Sequence, residues 1–237
     1  MPGYYNIGGE VYPSVTTILQ KMLPEPNGIK FWKMKTPNWE EVLRERATIG
    51  TLVHYRILNG LAVRTLDVPN VDYCNLPTDL PHLLEITDTI WEKLDLDIGL
   101  PRVIETIHID RKEKYVGTPD IVAPIDGIRT LGDIKTSKDI HDTHILQMGG
   151  YYNMLKNNNV EYLPERAYLI SVHPFIKGNP KLEGHVVEIK KKELEEKAKE
   201  FAELARDYHR IFSVRRKGKV TRLLTYPGTE DEITTLE

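Results

Sequence analysis

Charged side chains in two short stretches have the types and the spacing that metal chemistry needs. These stretches are "GTPD", which ends at Asp120, and "GDIK", which ends at Lys135, and they lie on neighbouring predicted strands. Asp133 and Lys135 are two residues apart, so their side chains share one face of a strand. If Asp120 lies at the matching end of the partner strand, two carboxylates and one ammonium group converge.

Two carboxylates at this separation repel each other unless a cation lies between them. Their hard oxygen atoms favour Mg²⁺ or Mn²⁺, which can polarise a phosphodiester and lower the pKa of a bound water. A nearby lysine can orient that water or stabilise developing charge. An Asp-x-Lys triplet arises by chance about once in a chain of this length, and an ion pair on a strand surface explains it equally well. The triplet therefore needs support from other motifs.

The elements that position these residues follow from the periodicity of the sequence. Helical spacing and capping residues predict helices over Ser14 to Leu23, Asn38 to about Asn59, Asp79 to about Leu96, Thr143 to Lys156 and about Lys191 to Ile211. Alternation predicts strands over Val103 to Ile109, Tyr115 to Ala123, Thr130 to Lys135, Ala167 to Val172 and His185 to Ile189. Asp126-Gly127 predicts a tight hairpin turn. Residues from Ser213 on are expected to be partly ordered at most.

Length and composition are those of one folded domain. The chain has 237 residues, of which 40% are hydrophobic, and this is enough to build a core. No apolar run approaches the roughly 20 residues of a membrane span, and residues 1–10 lack the order of a signal peptide. We therefore expect a cytoplasmic protein that does not enter a membrane. The single Cys74 excludes an internal disulfide.

Six short motifs follow one another along the chain: Pro-Ser-Val-Thr-Thr, Gly-Thr-x-x-His, a strand glutamate, Gly-x-x-Asp, Asp-x-Lys and Gln-x-x-x-Tyr. In this order they resemble the PD-(D/E)XK nuclease superfamily, specifically its RecB-type exonuclease branch. That branch includes the mitochondrial genome maintenance exonuclease and many phage-encoded exonucleases. The resemblance covers Tyr12 to Tyr151, and Pro119-Asp120 matches the Pro-Asp of the superfamily literally.

The resemblance implies an α/β fold with a restriction-endonuclease-like core. Its central mixed sheet would carry the site on an antiparallel hairpin, with flanking helices and an N-terminal helical segment. The single nuclease domain, 1–237, would divide into a mainly helical part over 1–100, a catalytic sheet and helix over 101–190, and a C-terminal helix and tail over 191–237.

The resemblance also implies a ligand set for one or two Mg²⁺ or Mn²⁺ ions. Asp120 and Asp133 would be ligands, together with the main-chain carbonyl of Ile134. His54 would be a further ligand or the partner of a second ion. Considered alone, His54 is more typical of a helix histidine packed against a sheet. An iron–sulfur cluster is excluded, because Cys74 has no thiol partners.

Four other residues receive roles from the same resemblance. Lys135 would orient the attacking water or stabilise charge. Glu105 would lie near the metal or hold Lys135, although an ordinary exposed strand residue is an equal alternative. Gln147 and Tyr151, four residues apart on one helix face, would support the site and contact a phosphate or base. Without the motif, Tyr151 would be expected in the core and Gln147 on the surface.

Three hydroxyl groups stand at the start of the first predicted helix. Ser14, which follows Pro13, is the expected N-cap, with Thr16 and Thr17 in the first turn. Free main-chain N–H groups at such an end attract anions. Given the resemblance, we expect this turn to bind a DNA backbone phosphate, with Ser14 and Thr16 as the main contacts.

The sequence thus predicts a metal-dependent DNA exonuclease that favours single strands or DNA ends in replication, recombination or repair, of cellular or phage origin. One alternative is a structure-selective endonuclease on the same scaffold, and another is a non-catalytic DNA-binding recombination accessory protein. Lysines around Phe31, Trp32 and Trp39 suit a single strand whose bases stack, although packing of these aromatic residues against a sheet is an equally reasonable interpretation.

Overall fold

The computed structural model of the chain describes residues 3–62, 66–67, 69, 79–137, 139–173, 184–212, 220–224 and 233–236, the last two ranges for the main chain alone. Two features noted in the sequence lie outside these ranges. They are Cys74 and most of the C-terminal tail that begins at Ser213.

The described residues form six helices and eleven strands. The helices are α1 (Val15–Met22), α2 (Asn27–Lys35), α3 (Trp39–Leu61), α4 (Leu80–Lys93), α5 (Asp142–Asn157) and α6 (Lys191–Ile211). The strands are β1 (Tyr4–Ile7), β2 (Glu10–Pro13), β3 (Val103–Ile104), β4 (His108–Asp110), β5 (Tyr115–Gly117), β6 (Ile121–Ile125), β7 (Ile128–Lys135), β8 (Arg166–Ser171), β9 (His185–Lys190), β10 (Val220–Leu224) and β11 (Ile233–Leu236). Of these helices, none combines the length and the apolar character needed to cross a membrane.

A five-stranded mixed sheet in the order β3-β6-β7-β8-β9 forms the centre of the protein. β7 and β8 are parallel, because α5 provides the crossover between them, and the other neighbours are antiparallel. Asp126 and Gly127 join β6 to β7 with φ values of 48° and 75°. Both are left-handed, as a two-residue hairpin turn requires. The α/β class, the mixed sheet and the hairpin are therefore confirmed.

Two predicted strands are each broken in the structure. Val103 to Ile109 was expected to be continuous, but it divides into β3 and β4. Tyr115 to Ala123 divides into β5 and β6, and β4 and β5 pair with each other outside the central sheet. The first break contains Glu105, whose φ of 42° is left-handed, and the second contains Pro119, which has no N–H for a ladder. The two breaks face each other, since the Glu105 N–H donates to the Asp120 carbonyl at 3.0 Å.

The expected N-terminal helical segment is present as α1 to α4, but a β-hairpin precedes it. β1 and β2 belong to a four-stranded sheet in the order β10-β11-β1-β2, so the two ends of the chain pair. The hairpin was not predicted because each of its strands has only four residues. The helix α2 was also missed: α1 ends before Pro24, close to the predicted end at Leu23, but Pro26 then stands immediately before a new helix.

The hydrophobic core lies on both faces of the central sheet. One cluster joins the sheet to α1, α5 and α6, and the other joins it to α3 and α4. α5 and α6 approach closely at Gly149, where an added Cβ would lie 2.5 Å from the main chain of Lys197. The glycine pair of "QMGGY" thus serves helix packing, and this close contact fixes α5 against the sheet.

Acid should destabilise the protein through His108 in β4. Burial, which leaves 5% of this residue exposed, lowers the pKa of His108 to about 4. As pH falls below about 6.5 the unfolded chain binds the proton first, so stability is lost between about pH 6.5 and pH 4. We expect this group to cost about 2 kcal/mol between pH 7 and pH 5. Denaturant unfolding at both pH values should show a smaller loss for His108→Gln, and an equal loss in both proteins would contradict the prediction.

Candidate metal centre

Three side chains that could hold a metal ion meet at the facing strand breaks. His54 comes from α3, Glu105 follows β3, and Asp120 immediately precedes β6. One ligand atom from each lies within 4.8 Å of the others, and His54 Nδ1 lies 3.5 Å from Asp120 Oδ2. The strand breaks are the local cause of this geometry, since continuous strands would carry Glu105 and Asp120 into regular ladders.

Asp120 is the central member of this group. Its side chain is almost completely buried, and its Oδ2 accepts a hydrogen bond of 2.7 Å from the main-chain N–H of Ile134 on β7. Burial raises the pKa of Asp120, but the charge and hydrogen bond of His54, the charge of Lys135 and the Ile134 N–H outweigh it and lower the pKa overall. Asp120 is therefore held as a carboxylate.

His54 carries the complementary charge. Its burial lowers the pKa, but the charge and hydrogen bond of Asp120, aided by Asp133, raise the pKa of His54 overall. The raised pKa favours the protonated form of His54, which pairs with Asp120. A cation that displaces this proton would find a neutral imidazole nitrogen beside a carboxylate, which is a combination that suits divalent metals.

Asp133 on β7 provides a direct test of whether a cation fits. Its side chain is 1% exposed, and burial together with the charge of Asp120 raises the pKa of Asp133 to about 6 against the opposing charge of Lys135. Asp133 Oδ2 lies 2.6 Å from Lys135 Nζ, so this buried carboxylate is ion-paired with the lysine. Asp120 lies close enough to raise the pKa of Asp133 further, and two neighbouring buried carboxylates fit a bound cation.

Lys135 is held from its other side by a chain of two hydrogen bonds. Lys135 Nζ donates to Gln147 Oε1 at 2.9 Å, and Gln147 Nε2 donates to the Tyr151 hydroxyl at 2.8 Å. Gln147 and Tyr151 are both buried, at 8% and 2% exposure. The four-residue spacing on α5 thus places both residues behind the lysine. Their contact with a phosphate or base remains a prediction.

Glu105 adopts a strained backbone that brings its carboxyl group to the site. A left-handed φ costs a non-glycine residue about 1–2 kcal/mol, and such strain clusters at functional sites. Loss of hydration and the charge of Asp120 raise the pKa of Glu105, while His54 opposes them. The residue as a whole is exposed, so the carboxyl group can reach both a bound ion and solvent. The Glu105 carboxyl group lies with His54 and Asp120, and its role near a bound ion or in holding Lys135 remains a prediction.

The hydroxyl groups at the start of α1 form a cap. Ser14 Oγ accepts from the main-chain N–H of Thr17 at 3.0 Å, which confirms Ser14 as the N-cap, and Thr17 Oγ1 donates to the carbonyl of Gly3 at 2.7 Å. Ser14 and Thr17 are buried, whereas Thr16 is half-buried and lies 2.9 Å from Ser14 Oγ. Thr16 is therefore the most accessible of the three expected phosphate contacts, and the contact itself remains a prediction.

A small pocket next to this cap contains residues to which the sequence assigned no role. Ser14 and Thr16 line it together with Thr118, Gly117 and Tyr151. An added Cβ on Gly117 would lie 2.9 Å from the Tyr151 ring, so only glycine allows this approach. Thr118 forms a hydrogen bond with Tyr5 of β1. Thr118 lies inside the "GTPD" motif, directly after Gly117 and two residues before Asp120. This position was the sequence signal that could have identified Thr118.

His144 on α5 is a second residue without an assigned role. Burial, with the nearby charges of Lys135 and His141, lowers the pKa of His144 to about 4. It is therefore a neutral imidazole near the candidate site at physiological pH. The spacing of the histidines in the sequence gave no indication of this, because His144 and Lys135 meet only through the packing of α5 on β7.

Comparison of the sequence with protein-family models and with curated proteins finds no match. The structure groups His54, Glu105 and Asp120 by distance and places Asp133 on the neighbouring strand. The Ile134 residue meets Asp120 through its N–H, and a role for its carbonyl as a ligand remains a prediction.

We expect Mn²⁺ binding to depend on both His54 and Glu105. Removing one ligand from such a site should weaken affinity roughly 10- to 100-fold or more. Titration calorimetry on His54→Ala and Glu105→Gln measures this loss, with Glu92→Gln, an exposed glutamate on α4, as the matched control. Wild-type affinity in Glu105→Gln would remove this residue from the ligand set.

Proposed function

We propose that this protein is a metal-dependent DNA exonuclease with the restriction-endonuclease-like core of the RecB-type branch. The observation that carries the proposal is the convergence of His54, Glu105 and Asp120 beside the Asp133 and Lys135 pair. Three carboxylates, an imidazole and an ammonium group at one end of a hairpin are the parts that phosphodiester hydrolysis requires.

The residues that would hold the ion are His54, Glu105, Asp120 and Asp133, with the Ile134 carbonyl. When bound, Mg²⁺ or Mn²⁺ supplies Lewis-acid polarisation of the phosphate and a water of lowered pKa. The donor set is mostly carboxylate oxygen with one imidazole, which matches Mn²⁺ well and tolerates Mg²⁺.

Lys135 is the residue placed to act on the reacting phosphate. The Lys135 side chain is 16% exposed, and its ammonium group lies 2.6 Å from Asp133 Oδ2 and donates a hydrogen bond to Gln147. A donor held in this way can hydrogen-bond the attacking water or a phosphate oxygen as negative charge develops. Gln147 and Tyr151 are positioning residues in this proposal, because they act through Lys135.

The start of α1 would hold the DNA backbone next to the site. Ser14, Thr16 and Tyr151 line the same small pocket. The Tyr151 hydroxyl accepts a hydrogen bond from Gln147, which in turn accepts one from Lys135. A phosphate bound by the Thr16 hydroxyl at the start of α1 would therefore adjoin the metal centre. We place this activity inside a cell, in replication, recombination or repair, and encoded by a cell or a phage.

Circular and linear single-stranded DNA of one sequence separate the candidate functions. We expect Mn²⁺-dependent degradation of the linear form to mononucleotides or short products, with the circle left intact, because an exonuclease needs an end. Cleavage of the circle at a comparable rate would instead support the structure-selective endonuclease. Binding of both forms without cleavage of either would support the accessory DNA-binding protein.

A further inference from the structure

The segment from Pro24 to Thr48 stands apart from the core. It comprises α2 and the first part of α3, and none of its 25 residues is buried. The residues on either side are buried: α1 packs in the core before it, and Ile49 begins the buried part of α3 after it. The segment thus projects between the hydroxyl cap of α1 and the helix that carries His54.

Exposed apolar side chains concentrate on this projection. Of the seven large hydrophobic residues that are exposed within the described ranges, four belong to this segment: Ile29, Phe31, Met34 and Leu43. Phe31 is 58% exposed and Met34 is 85% exposed. The alternative that these residues pack against a sheet is therefore wrong for Phe31, and α2 is free to contact a ligand.

Positive charge accompanies the apolar groups on α2. The helix contains Lys30, Lys33 and Lys35 and no acidic residue. Phe31, Met34 and Lys35 share one side at three- and four-residue spacing, and Lys35 Nζ lies 4.2 Å from the centre of the Phe31 ring. Lys33 Nζ lies 4.4 Å from the Trp39 ring in the same way. Phe31 and Trp39 therefore each have an ammonium group against the ring.

We propose that this α2 surface (Lys30, Phe31, Met34 and Lys35) binds a single strand of DNA. Bases stack on exposed aromatic rings, and ammonium groups beside those rings neutralise the phosphates. A protein or membrane partner would instead favour a continuous apolar stripe separated from the charges, whereas here lysines interleave with the apolar residues. The choice of DNA rests on the proposed function, since charge alone fits any polyanionic strand.

The position of the surface indicates how it would serve the site. Trp39 at the start of α3 precedes His54 by 15 residues, and at 1.5 Å per residue the two are about 22 Å apart along the helix. A strand that contacts both α2 and the metal centre therefore spans several nucleotides. The α2 surface would retain a long strand while its end is processed.

Fluorescence anisotropy with a labelled 30-nucleotide oligothymidine tests the proposal. The measurement is made in EDTA, so it does not depend on cleavage. Phe31→Ala should weaken affinity roughly 5- to 100-fold, the value of one base stack. Lys35→Ala should weaken affinity and lower the salt dependence by about 0.7 in log–log slope. The controls are Leu100→Ala, an equally exposed apolar residue, and Lys192→Ala on α6.

The outcomes separate this inference from the proposed nuclease. Affinity of Phe31→Ala equal to that of Leu100→Ala would overturn the α2 surface, whether or not the wild-type protein cleaves DNA. If the wild-type protein does not bind the oligonucleotide, the α2 surface is also rejected as a DNA-binding site. A protein partner would then be the expected ligand of α2. Loss of binding in Phe31→Ala without Mn²⁺-dependent cleavage by the wild-type protein would support the surface and reject the nuclease.

Discussion

Replacing Asp120 with asparagine is expected to abolish Mn²⁺-dependent hydrolysis of single-stranded DNA. We expect a loss of at least roughly 1,000-fold, which corresponds to about 4 kcal/mol of transition-state stabilisation. The physical reason is the number of groups that Asp120 organises. It faces His54 across 3.5 Å, accepts the Ile134 N–H and shares the site with Glu105. The amide of asparagine keeps the shape but removes the charge that balances a cation.

The matched control for this substitution is Asp95→Asn. Asp95 is exposed at the end of α4 and has a φ of 48°, a conformation that asparagine also tolerates. The Asp95→Asn variant should retain full activity. Fluorescence anisotropy in EDTA should show that Asp120→Asn binds DNA with unchanged affinity. Initial rates from labelled oligonucleotides provide the comparison. Robust hydrolysis by Asp120→Asn would reject the assigned centre.

Replacing Lys135 with methionine should lower the rate about 100- to 1,000-fold while Mn²⁺ still binds. This is the loss expected when one fixed donor to developing charge is removed. Methionine preserves the length and the apolar stem of the side chain but cannot donate to water or phosphate. Because Lys135 is not a proposed ligand, calorimetric Mn²⁺ affinity should fall much less than in His54→Ala.

Gln147→Leu distinguishes a direct role of Lys135 from a structural one. It removes the 2.9 Å hydrogen bond that directs Lys135 Nζ but leaves the ammonium group in place. We expect a smaller rate loss than in Lys135→Met, with the rates of both variants measured at a temperature well below their unfolding midpoints, because Lys135→Met also removes the ion-pair partner of the buried Asp133. A fall in rate that merely follows unfolding in both variants would contradict a chemical role for Lys135.

Local sequence patterns predicted the hairpin and the crossover helix of this fold well. Asp126-Gly127 favours left-handed conformations at both turn residues, and the structure shows them. The strand breaks could not be predicted in the same way. The left-handed φ of Glu105 is accompanied by tertiary contacts, such as the hydrogen bond that its main-chain N–H donates to the Asp120 carbonyl. Likewise, β1 pairs with β11 more than 200 residues later, which no local window contains.

The candidate site shows the same division between local and distant information. The spacing of Gln147 and Tyr151 correctly placed both on one helix face, where they form a hydrogen-bonded chain to Lys135. Burial of Gln147 could not be inferred from its polarity alone, because it depends on α5 packing over β7. Aromatic residues are usually buried, but Phe31 is exposed. The sequence alone could not decide whether Phe31 packs against a sheet or faces solvent.

Digestion of end-labelled linear single-stranded DNA by the full chain tests the central claim most directly. Reactions with Mn²⁺, with Mg²⁺ and with EDTA are compared for the wild-type protein, Asp120→Asn and Asp95→Asn, with label at the 5′ or the 3′ end. We predict progressive degradation by the wild-type protein and by Asp95→Asn with either metal, none in EDTA, and none by Asp120→Asn. Degradation that persists in EDTA, or that Asp120→Asn retains in full, would contradict a metal-dependent nuclease centred on Asp120.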